Sequence, residues 1–583
     1  MFQRLFEIPY FQKEKYPLEI ALANYEMGEW KYFSTLEFCD YIDKAGVFLK
    51  SRHIAKGDAI ALVGKAGNPY WNMLDLAALK SGVIVVPILS GVSVFQAEYI
   101  LSECNIKHLF FASKEDEMQF SGLNTRSYSS YCLNSTFFDD IPAPDRNTLD
   151  EIERVANSVL ATDLATIIYT SGTTGEPKGV MLSHQNILSN ILSIMPLIPS
   201  LQSKVVLSFL PLSHIFERTV TFTHMAMGSS IYYAGSIEKL EECFISARPQ
   251  YFSAVPRLVE KMVDKVMERR AKAGYIARKL IDWAMEAGEN FEGEYKENVW
   301  QYIKRFLADI TVYRAWRKAL GGRVEGVVVG AAALQPKLSR LFSAAGIPIR
   351  EGYGCTETSP VIAFNHFHPG GYLYGSVGMP LPGVEVKIEE DSEIKGEGEI
   401  LVKGPNVMMG YYKKPDLTAE VMTTDGWYRT GDIGHFTNKW FLKITDRKRD
   451  IFKISQGTYV APQVIENHLK TAVLIDQCMV WGLGKPYLGA LIVPNFNLLR
   501  EWCNQNKIHW TAPQYMVINP KVQQQFTKII DDLNQSLSKH EKVERFCLLH
   551  EEWKIENGEL TPTMKVRRKI VYEKYKKQLE ELF

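Results

Sequence analysis

The sequence has few of the features that mark a membrane, secreted or nucleic-acid-binding protein. Its 67 lysines and arginines balance 67 aspartates and glutamates, so the net charge is zero and gives no support for nucleic-acid binding. No apolar run approaches the roughly 18 residues that a membrane span needs. Charges at Arg4, Glu7 and Lys13 interrupt the N-terminal stretch, which therefore lacks the apolar core of a signal peptide. These absences predict a soluble, cytoplasmic protein.

The eight cysteines form no recognisable motif, because they are scattered and include no C-x-x-C pair. Such spacing argues against a disulfide framework and against a zinc site, and it fits a reducing compartment. Internal repeats and low-complexity tracts are absent as well. With 46% hydrophobic and 23% charged residues, the composition is that of an ordinary globular protein.

At 583 residues the chain is too long for one core and should form at least two domains. Before residue 250, short β-branched runs alternate with helix-period stretches, which predicts α/β layers around a largely parallel sheet. The predicted strands lie at 59–64, 82–89, 108–112, 165–170, 229–235 and, later, 324–334. Residues 376–445 are typical of short strands and turns. We therefore predict a large α/β domain with a β-rich subdomain over 1–445, and a small α+β domain over 446–583.

Residues 256–322 interrupt this alternation with a sequence that is helical almost throughout. Apolar residues recur at three- and four-residue intervals, with abundant arginine and lysine between them. Two interpretations stay open: amphipathic helices packed on the large domain, or a basic, aromatic-rich face resting on the inner face of a membrane. The second interpretation would place six aromatic residues at the headgroup level: Trp283, Trp300, Tyr302, Phe306, Tyr313 and Trp316.

The segment 169–184, YTSGTTGEPKGVMLSH, suits neither a helix nor a strand, because glycine costs backbone entropy and Ser/Thr compete for backbone hydrogen bonds. A Gly/Ser/Thr loop after an apolar strand presents N–H groups and hydroxyls that suit phosphate oxygens. Lys178 adds a positive charge. The Walker A pattern does not match, since the sixth residue from Gly172 is Pro177 and no Gly-Lys-Ser/Thr follows.

The string SGTTGEPKG at 171–179 resembles the signature of the adenylate-forming (AMP-binding) family. Later segments resemble that family's other motifs in the same order: GYGCTE (352–357), YRTGD (428–432), DRKRD (446–450), KISQGTYVAPQVIE (453–466) and TPTMKVRRK (561–569). PLSHIFER at 211–218 resembles a motif of long- and medium-chain fatty acyl-CoA synthetases. The ending LTPTMKVRRK, the string SQGTYVAP and the helical insertion look most like the long-chain branch. The resemblance implies the family's fold, in which a small mobile C-terminal domain follows a large domain of layered α/β subdomains and a β-rich subdomain.

The resemblance also implies an ATP site. Tyr353 would stack on adenine, Glu357 would bind Mg2+, and Asp432 with Arg447 would contact the ribose. The implied nucleotide-binding residues are Thr170, Ser171, Gly172, Thr173, Thr174, Gly175, Lys178, Gly330, Ala331, Ala332, Gly352, Tyr353, Gly354, Thr356, Asp432 and Arg447. Many family members have Gly-Gly-Ala where this chain has Gly330-Ala331-Ala332. The resemblance implies that the methyl group of Ala331 leaves less room between the backbone and the adenylate.

The implied reaction has two halves. The carboxylate of a long-chain fatty acid attacks the α-phosphorus of ATP and releases pyrophosphate, and the thiol of coenzyme A then displaces AMP. Both first partners are anions, so cationic groups must stabilise the transition state. The residues implied for these steps are Lys178, Glu357, His214 and Lys565 for catalysis, His214 and Phe216 for the acyl site, Lys453 and Gly457 for the coenzyme A channel, and Arg449 and Asp450 for the hinge.

Several alternatives remain at this stage. Lys565 lies in a run with Arg567, Arg568 and Lys569, which is also typical of a solvated basic cluster. A lone His214 is also compatible with a buried core histidine. An acyl carrier protein is an alternative thiol partner to coenzyme A, because the first half-reaction is the same. A non-catalytic lipid-binding relative is the alternative from another functional class.

Overall fold

The computed structural model describes residues 2–65, 67–123, 128–171, 177–236, 238–293, 297–390, 396–455, 458–555, 557–561 and 565–583. Its strands are β1 (Leu22–Glu26), β2 (Glu29–Phe33), β3 (Ala59–Val63), β4 (Ile84–Ile88), β5 (His108–Phe111), β6 (Ser129–Cys132), β7 (Leu164–Ser171), β8 (Pro177–Ser183), β9 (Val205–Ser208), β10 (Ser230–Tyr233), β11 (Tyr251–Ala254), β12 (Gly326–Val329), β13 (Ile349–Gly354), β14 (Val361–Phe364), β15 (Met379–Pro380), β16 (Glu385–Glu390), β17 (Gly398–Lys403), β18 (Gly410–Tyr411), β19 (Tyr428–Thr437), β20 (Phe441–Arg447), β21 (Phe452–Lys453), β22 (Tyr459–Val460), β23 (Ile475–Trp481), β24 (Leu488–Pro494) and β25 (Val543–Leu548).

The α-helices are α1 (Ile8–Lys15), α2 (Thr35–Ser51), α3 (Pro69–Lys80), α4 (Val94–Glu103), α5 (Lys114–Gln119), α6 (Ser135–Asp139), α7 (Arg146–Ser158), α8 (His184–Ile194), α9 (Ile215–Ala226), α10 (Leu240–Ala247), α11 (Pro256–Lys272), α12 (Tyr275–Glu289), α13 (Val299–Ala308), α14 (Arg314–Ala319), α15 (Pro336–Ala344), α16 (Pro415–Val421), α17 (Pro462–Leu469), α18 (Phe496–Gln505), α19 (Pro513–Met516), α20 (Pro520–Asn534), α21 (Arg568–Lys574) and α22 (Lys576–Glu580). Short 3-10 turns occur at Leu5–Glu7, Met195–Leu197 and Thr356–Thr358, and a π-helical turn at Asp309–Tyr313.

Two large sheets form the first part of the chain, and both contain the parallel strands that the sequence predicts. A nine-stranded sheet has the order β15-β14-β13-β12-β11-β9-β10-β1-β2, and a seven-stranded sheet has the order β18-β8-β7-β4-β3-β5-β6. One hydrophobic core contains residues of both sheets, including Ile231 of β10 and Leu62 of β3. Helix α3 lies in this core and is buried at every residue. The layered α/β prediction is therefore confirmed.

A buried ion pair fixes α9 against this core. Arg218 of α9 donates from Nε to Asp75 of α3 at 2.8 Å and from Nη1 to Thr166 of β7 at 2.8 Å. Arg218 and Asp75 are both fully enclosed, and a buried charge without its partner is strongly destabilising. The pair therefore holds α9 in a defined position relative to α3 and β7.

The later part of the chain contains smaller sheets. β16, β17, β19 and β20 form a four-stranded antiparallel sheet, as expected for the 376–445 stretch. β23, β24 and β25 form a three-stranded sheet that shares a separate core with α17, α18 and α20. The predicted boundary between residues 445 and 446 falls inside β20, which ends at Arg447. The division of the chain at that residue stays a prediction.

The helical insertion forms as predicted, with α11 to α14 in succession between residues 256 and 319. Its aromatic residues do not share one outward face. The Tyr313 ring is fully buried and its hydroxyl donates to the Ala284 carbonyl at 2.5 Å, while Trp283 and Trp316 pack partly against the large domain's core. The expectation that all six aromatics settle at a membrane is wrong for Tyr313, because a polar partner and a close-packed site hold it inside. Among the described residues, no helix is long and apolar enough to cross a membrane.

Candidate active site

A cavity of about 690 Å³ brings together most of the residues that the motifs predict. It lies where the nine-stranded sheet, the β19–β20 hairpin and the C-terminal part of the chain meet. The predicted residues that line it are Thr170, Lys178, His214, Phe216, Gly330, Ala331, Gly352, Tyr353, Gly354, Thr356, Glu357, Arg447, Arg449 and Lys565. Segments separated by almost four hundred residues of sequence therefore converge on one site.

The glycine-rich loop connects the two strands of a hairpin. β7 and β8 are antiparallel, with Thr170 opposite Lys178 in the register. This placement puts Lys178 at the start of β8, next to the loop, and differs from a Walker A loop, which leads from a strand into a helix. The predicted loop residues Gly172, Thr173, Thr174 and Gly175 lie outside the described part of the chain. The side chain of Ser171 lies outside it as well.

Tyr411 connects two of the predicted catalytic groups. Its hydroxyl donates to Glu357 Oε1 at 3.0 Å, and the Lys178 ammonium lies 5.1 Å from the centre of its ring, within the range of a cation–π contact. Glu357 itself sits in the short turn between β13 and β14 and lines the cavity. One of its two carboxylate oxygens remains without a partner in the described residues, and a carboxylate oxygen is a preferred ligand of Mg2+. The site therefore fits a magnesium ion held by Glu357.

Asp432 is held from two sides. Tyr353 donates its hydroxyl to Asp432 Oδ2 at 2.7 Å, and Arg447 Nε lies 2.9 Å from Asp432 Oδ1. Asp432 of β19 is the direct cross-strand partner of Arg447 of β20. Two motifs fifteen residues apart in sequence thus form one hydrogen-bonded unit. Asp432 itself is buried behind the cavity-lining Tyr353 and Arg447.

Backbone geometry constrains two small residues in the cavity wall. A Cβ on Gly354 would lie 1.7 Å from the Pro360 carbonyl oxygen, so only glycine fits there. Ala331 has a φ of 70°, in the left-handed region that favours glycine. Ala331, which stands where many family members have glycine, is therefore in a strained backbone conformation.

Burial perturbs the pKa values of Lys565 and His214 in the cavity. Lys565 lines the cavity, although the residue as a whole is exposed to solvent. Desolvation, together with the nearby Arg447, lowers the pKa of Lys565 to about 8. Desolvation and the charge of Lys565 lower the pKa of His214 to about 4, so this imidazole is neutral at pH 7. His214 is the N-cap of α9, and its Nδ1 accepts from the Phe216 N–H at 3.3 Å. The charge of Lys565 acts on His214 and both residues line the cavity, so they belong to one site rather than to a core and a surface cluster.

An apolar wall covers another part of the same cavity. α9 contributes three successive turns of one helix face, at Phe216, Val220 and the pair 223–224. Further apolar lining comes from α8, the segment after it, β12 and β14: Ile194, Ile198, Val328, Val361 and Phe364. The cavity thus combines a cationic, polar wall with a wall that suits a hydrocarbon chain.

The small C-terminal domain reaches this cavity while docked on the rest of the chain. Arg257 Nη2 of α11 lies 2.7 Å from both carboxylate oxygens of Asp476 in β23. Lys337 Nζ of α15 donates to the Thr471 carbonyl at 2.7 Å, and Met267 of α11 packs against the small domain's core. These contacts fix the arrangement in which Lys565 lines the cavity.

Other predicted residues lie apart from the cavity. Lys453 does not line it and places its ammonium 4.2 Å from the Tyr459 ring centre, while Gly457 lies outside the described residues. Asp450 and Ala332 are also absent from the lining, although their neighbours Arg449 and Ala331 belong to it. The roles of these residues stay predictions.

Much of the cavity wall carries no motif in the sequence. Tyr411 had no motif to identify it, because its contacts to Lys178 and Glu357 depend on the pairing of β18 with β8. The α9 face was identifiable in principle, since Val220, Thr223 and His224 follow Phe216 at helical spacing. The interface contact of Arg257 with Asp476 joins residues more than two hundred positions apart and left no local signal.

Comparisons with known proteins identify the family of the chain. Residues 11–412 match the family model described as AMP-binding enzyme, and residues 449–583 match the model of the AMP-binding enzyme C-terminal domain. The chain is 31% identical over 577 residues to the long-chain-fatty-acid–CoA ligase FadD15 of Mycobacterium bovis, covering 95% of this chain and 93% of that protein. It is 29% identical over 587 aligned residues to the peroxisomal long chain acyl-CoA synthetase 7 of Arabidopsis thaliana, covering 96% and 82%.

The fold has a solved counterpart. The structure of o-succinylbenzoate coenzyme A synthetase (MenE) from Bacillus subtilis, in complex with ATP and a magnesium ion, is similar with a TM-score of 0.69 at 19% sequence identity. The similarity covers 97% of this chain and 98% of that chain. The large and small domains described above therefore follow a known arrangement.

Proposed function

The chain belongs to the AMP-binding enzyme family, and from that premise we propose that it joins a long-chain fatty acid to coenzyme A, using ATP. The ligase of Mycobacterium bovis and the synthetase of Arabidopsis thaliana, both similar over nearly the whole chain, support the long-chain substrate. The observation that carries the proposal is the cavity itself, whose polar wall suits a nucleotide and whose apolar wall suits an acyl chain.

The first half-reaction requires two anions to meet. The fatty acid carboxylate attacks the α-phosphorus of ATP, the bond to the β-phosphate oxygen breaks, and pyrophosphate leaves with the electron pair. We assign Lys178 and the adjacent loop to the β- and γ-phosphates, and Lys565 to the carboxylate and the developing charge at the α-phosphate. A compact ammonium suits this task because it can contact both oxygens together. Mg2+ held by Glu357 would supply further charge neutralisation on the phosphates.

Asp432, together with its partners Tyr353 and Arg447, would hold the nucleoside. Asp432 already accepts from Tyr353 and Arg447, and each carboxylate oxygen has a second lone pair for a ribose hydroxyl. The same contacts fix the Tyr353 ring in the cavity wall, where an adenine can stack on it. His214, neutral at physiological pH, would line the path of the carboxylate without adding charge.

In the second half-reaction a thiol attacks the acyl carbonyl and AMP leaves. Lys565 of the small domain lines the cavity in the docked arrangement described above. The small domain would therefore have to move before a thiol can enter, and Arg449 and Asp450 are the predicted hinge. We propose coenzyme A as the thiol donor. The family relationship to coenzyme A ligases supports this choice over an acyl carrier protein.

Pyrophosphate exchange tests the proposal. Purified protein would be given ATP, Mg2+ and a panel of carboxylic acids from acetate to long-chain fatty acids, with amino acids included. We expect exchange to be fastest with the long-chain acids, and addition of coenzyme A to yield the acyl-CoA and AMP. Absence of exchange with every acid would leave only a binding function. Transfer to acyl carrier protein in preference to coenzyme A would contradict the assigned acceptor.

We further propose that α13 lets the enzyme rest on an anionic lipid surface. α13 has a single buried residue, Ala308, while its apolar residues point outward: Val299, Trp300, Ile303, Phe306 and Leu307, followed by Ile310. The partly buried Arg305 donates to Glu297 at 2.9 Å. A helix whose apolar residues are largely exposed differs from a packed surface helix, which buries its apolar face, and suits the boundary of a bilayer.

Charge supports the choice of an anionic surface. Lys304, Arg314 and Lys318 are exposed and have no ion-pair partner among the described residues, whereas Arg317 is bound to Asp309 and the Ala345 carbonyl. Each exposed cation near an anionic surface contributes about 1 kcal/mol.

Vesicle sedimentation at two salt concentrations tests this proposal. We expect salt-sensitive binding to anionic vesicles only, lost when Trp300 and Phe306 are both changed to serine. Tyr275 and Ile276 at the start of α12 are also about 75% exposed, and changing both to serine is the matched control that should retain binding. Wild-type protein that remains in the supernatant, or equal loss in the control, would contradict the assignment to α13.

A further inference from the structure

The apolar wall of the cavity contains an unpartnered histidine. His224 lies on α9, lines the cavity and is only 5% exposed. Its Nδ1 is fully enclosed and has no hydrogen-bond partner, and no described residue hydrogen-bonds to its Nε2 either. Leaving a buried polar group unpaired costs about 1–3 kcal/mol, so such a group calls for a physical explanation.

The position of His224 excludes a role in the chemistry at the carboxyl end. It lies ten residues after His214, which corresponds to about 15 Å along the helix axis. Burial and the charge of Lys565 lower the pKa of His214, whereas burial alone lowers the pKa of His224. A fatty acid whose carboxylate lies near Lys565 would therefore pass His224 with a distant part of its chain.

Thr223 adds a second polar atom at the same place. It also lines the cavity, and its hydroxyl proton is donated to the Thr219 carbonyl at 2.8 Å. The Thr223 oxygen can consequently only accept a further hydrogen bond. Burial alone lowers the pKa of His224 to about 4, so the ring is a neutral imidazole with one donor and one acceptor nitrogen. A plain hydrocarbon chain would leave the His224 Nε2 and the free lone pair of the Thr223 oxygen without a hydrogen bond.

We propose that His224, with Thr223, recognises a hydroxyl group on the distal part of the acyl chain, so that the preferred substrates are hydroxylated long-chain fatty acids. A hydroxyl matches this pair because it can accept from the imidazole Nε2–H and donate to the Thr223 oxygen, while the enclosed Nδ1 stays unprotonated. A keto group only accepts and would satisfy the imidazole N–H alone. This inference rests on the proposed function, since it concerns the substrate of the same cavity.

The test compares matched fatty acids. ATP–pyrophosphate exchange would be measured with a positional series of monohydroxylated long-chain acids, the corresponding keto acids and the unsubstituted parents. At the favoured position we expect kcat/KM to be about tenfold higher for the hydroxy acid than for its parent, the size of one buried hydrogen bond. The keto acid should fall between them.

Two variants separate recognition from cavity shape. His224→Leu should remove or reverse the preference, measured as the ratio of kcat/KM for the hydroxy acid to that for its parent. Thr223→Val, which is similar in shape, should reduce the preference in part. Val220→Ala, one turn away on the same wall, changes the volume without changing hydrogen bonding, and should leave the ratio of hydroxy acid to parent unaltered.

The experiment distinguishes a failure of the His224 proposal from a failure of the proposed ligase function. Exchange with no fatty acid at all would refute the ligase assignment. Exchange with the parents but no preference for any hydroxylated isomer would overturn the role of His224 alone. A preference that survives in His224→Leu would likewise overturn it, because the recognising group would then lie elsewhere.

Discussion

Arg257 and Asp476 join the helical insertion to the small C-terminal domain through a single guanidinium nitrogen that lies 2.7 Å from both carboxylate oxygens. Both side chains are largely shielded, with 21% and 10% exposure, so the pair is better protected from solvent than most surface ion pairs. The insertion is thus part of the surface on which the small domain docks when Lys565 lines the cavity.

Breaking this pair should affect the two half-reactions differently. Arg257→Ala removes a contact that exists only in the docked arrangement, so we expect ATP–pyrophosphate exchange to fall by about fivefold, equivalent to about 1 kcal/mol. Thioester formation from supplied acyl-adenylate should stay the same or become faster. The charge-swapped double variant Arg257→Asp, Asp476→Arg should recover part of the exchange rate. Equal loss in both half-reactions would point to misfolding.

Lys565→Ala should remove the positive charge that the first half-reaction needs. We expect exchange to fall by roughly a hundredfold or more, while thioester formation from supplied acyl-adenylate is spared. Arg567 does not line the cavity and is the control from the same basic run. If Arg567→Ala lost as much activity as Lys565→Ala, the assignment of the catalytic lysine would be wrong.

The pKa of Lys565, lowered to about 8, predicts an alkaline limit for adenylation. The charged ammonium predominates below pH 8 and is lost as the pH rises through this value, so the exchange rate should decline above it. In Lys565→Arg the guanidinium stays charged across this range, and the residual activity should lack the decline. An unchanged decline in the arginine variant would assign it to another group.

Glu357 and Asp432 should respond differently to magnesium. Glu357→Gln keeps the size of the side chain but removes the charge that would bind Mg2+, so activity should fall and partly recover at high Mg2+. Asp432→Asn should mainly raise the KM for ATP, since it weakens the ribose contact. Recovery of Asp432→Asn by Mg2+, with none for Glu357→Gln, would reverse the two assignments.

Ala331→Gly should stabilise the protein. At a φ of 70° an alanine is strained by about 1 kcal/mol relative to glycine, and the glycine variant relieves this strain. Thermal unfolding should shift upward by a few degrees at most in a chain of this size. Ala332 is the control, because it does not have a positive φ and its change to glycine should lower stability.

The sequence predicted the layered core and most of the polar wall for a physical reason. β-branched runs between helix-period stretches are local signals, and the strands at 59–63, 84–88 and 326–329 lie where those signals are strongest. The cavity-lining motif residues Lys178, Glu357 and Arg447 were likewise contained in short continuous segments.

What escaped prediction depends on contacts between distant segments. Whether an aromatic residue of the insertion faces the core or the solvent is decided by its partners, so Tyr313 and Trp300 look alike in sequence but differ completely in exposure. The same holds for Tyr411 and for His224, whose importance comes from the cavity that other elements build around them. A periodic pattern gives the helix face but not the partner that covers it.

The shared cavity also has a thermodynamic consequence. Asp432 and Tyr353 come from the large domain's sheets, while Lys565 comes from the C-terminal domain, so a nucleotide bound between them contacts two units that each have their own core. Such a ligand stabilises the docked pair by mass action and couples two otherwise separate unfolding equilibria. In a calorimeter, the ligand-free protein should melt in two overlapping transitions, and a saturating non-hydrolysable ATP analogue should merge them into one cooperative peak at higher temperature.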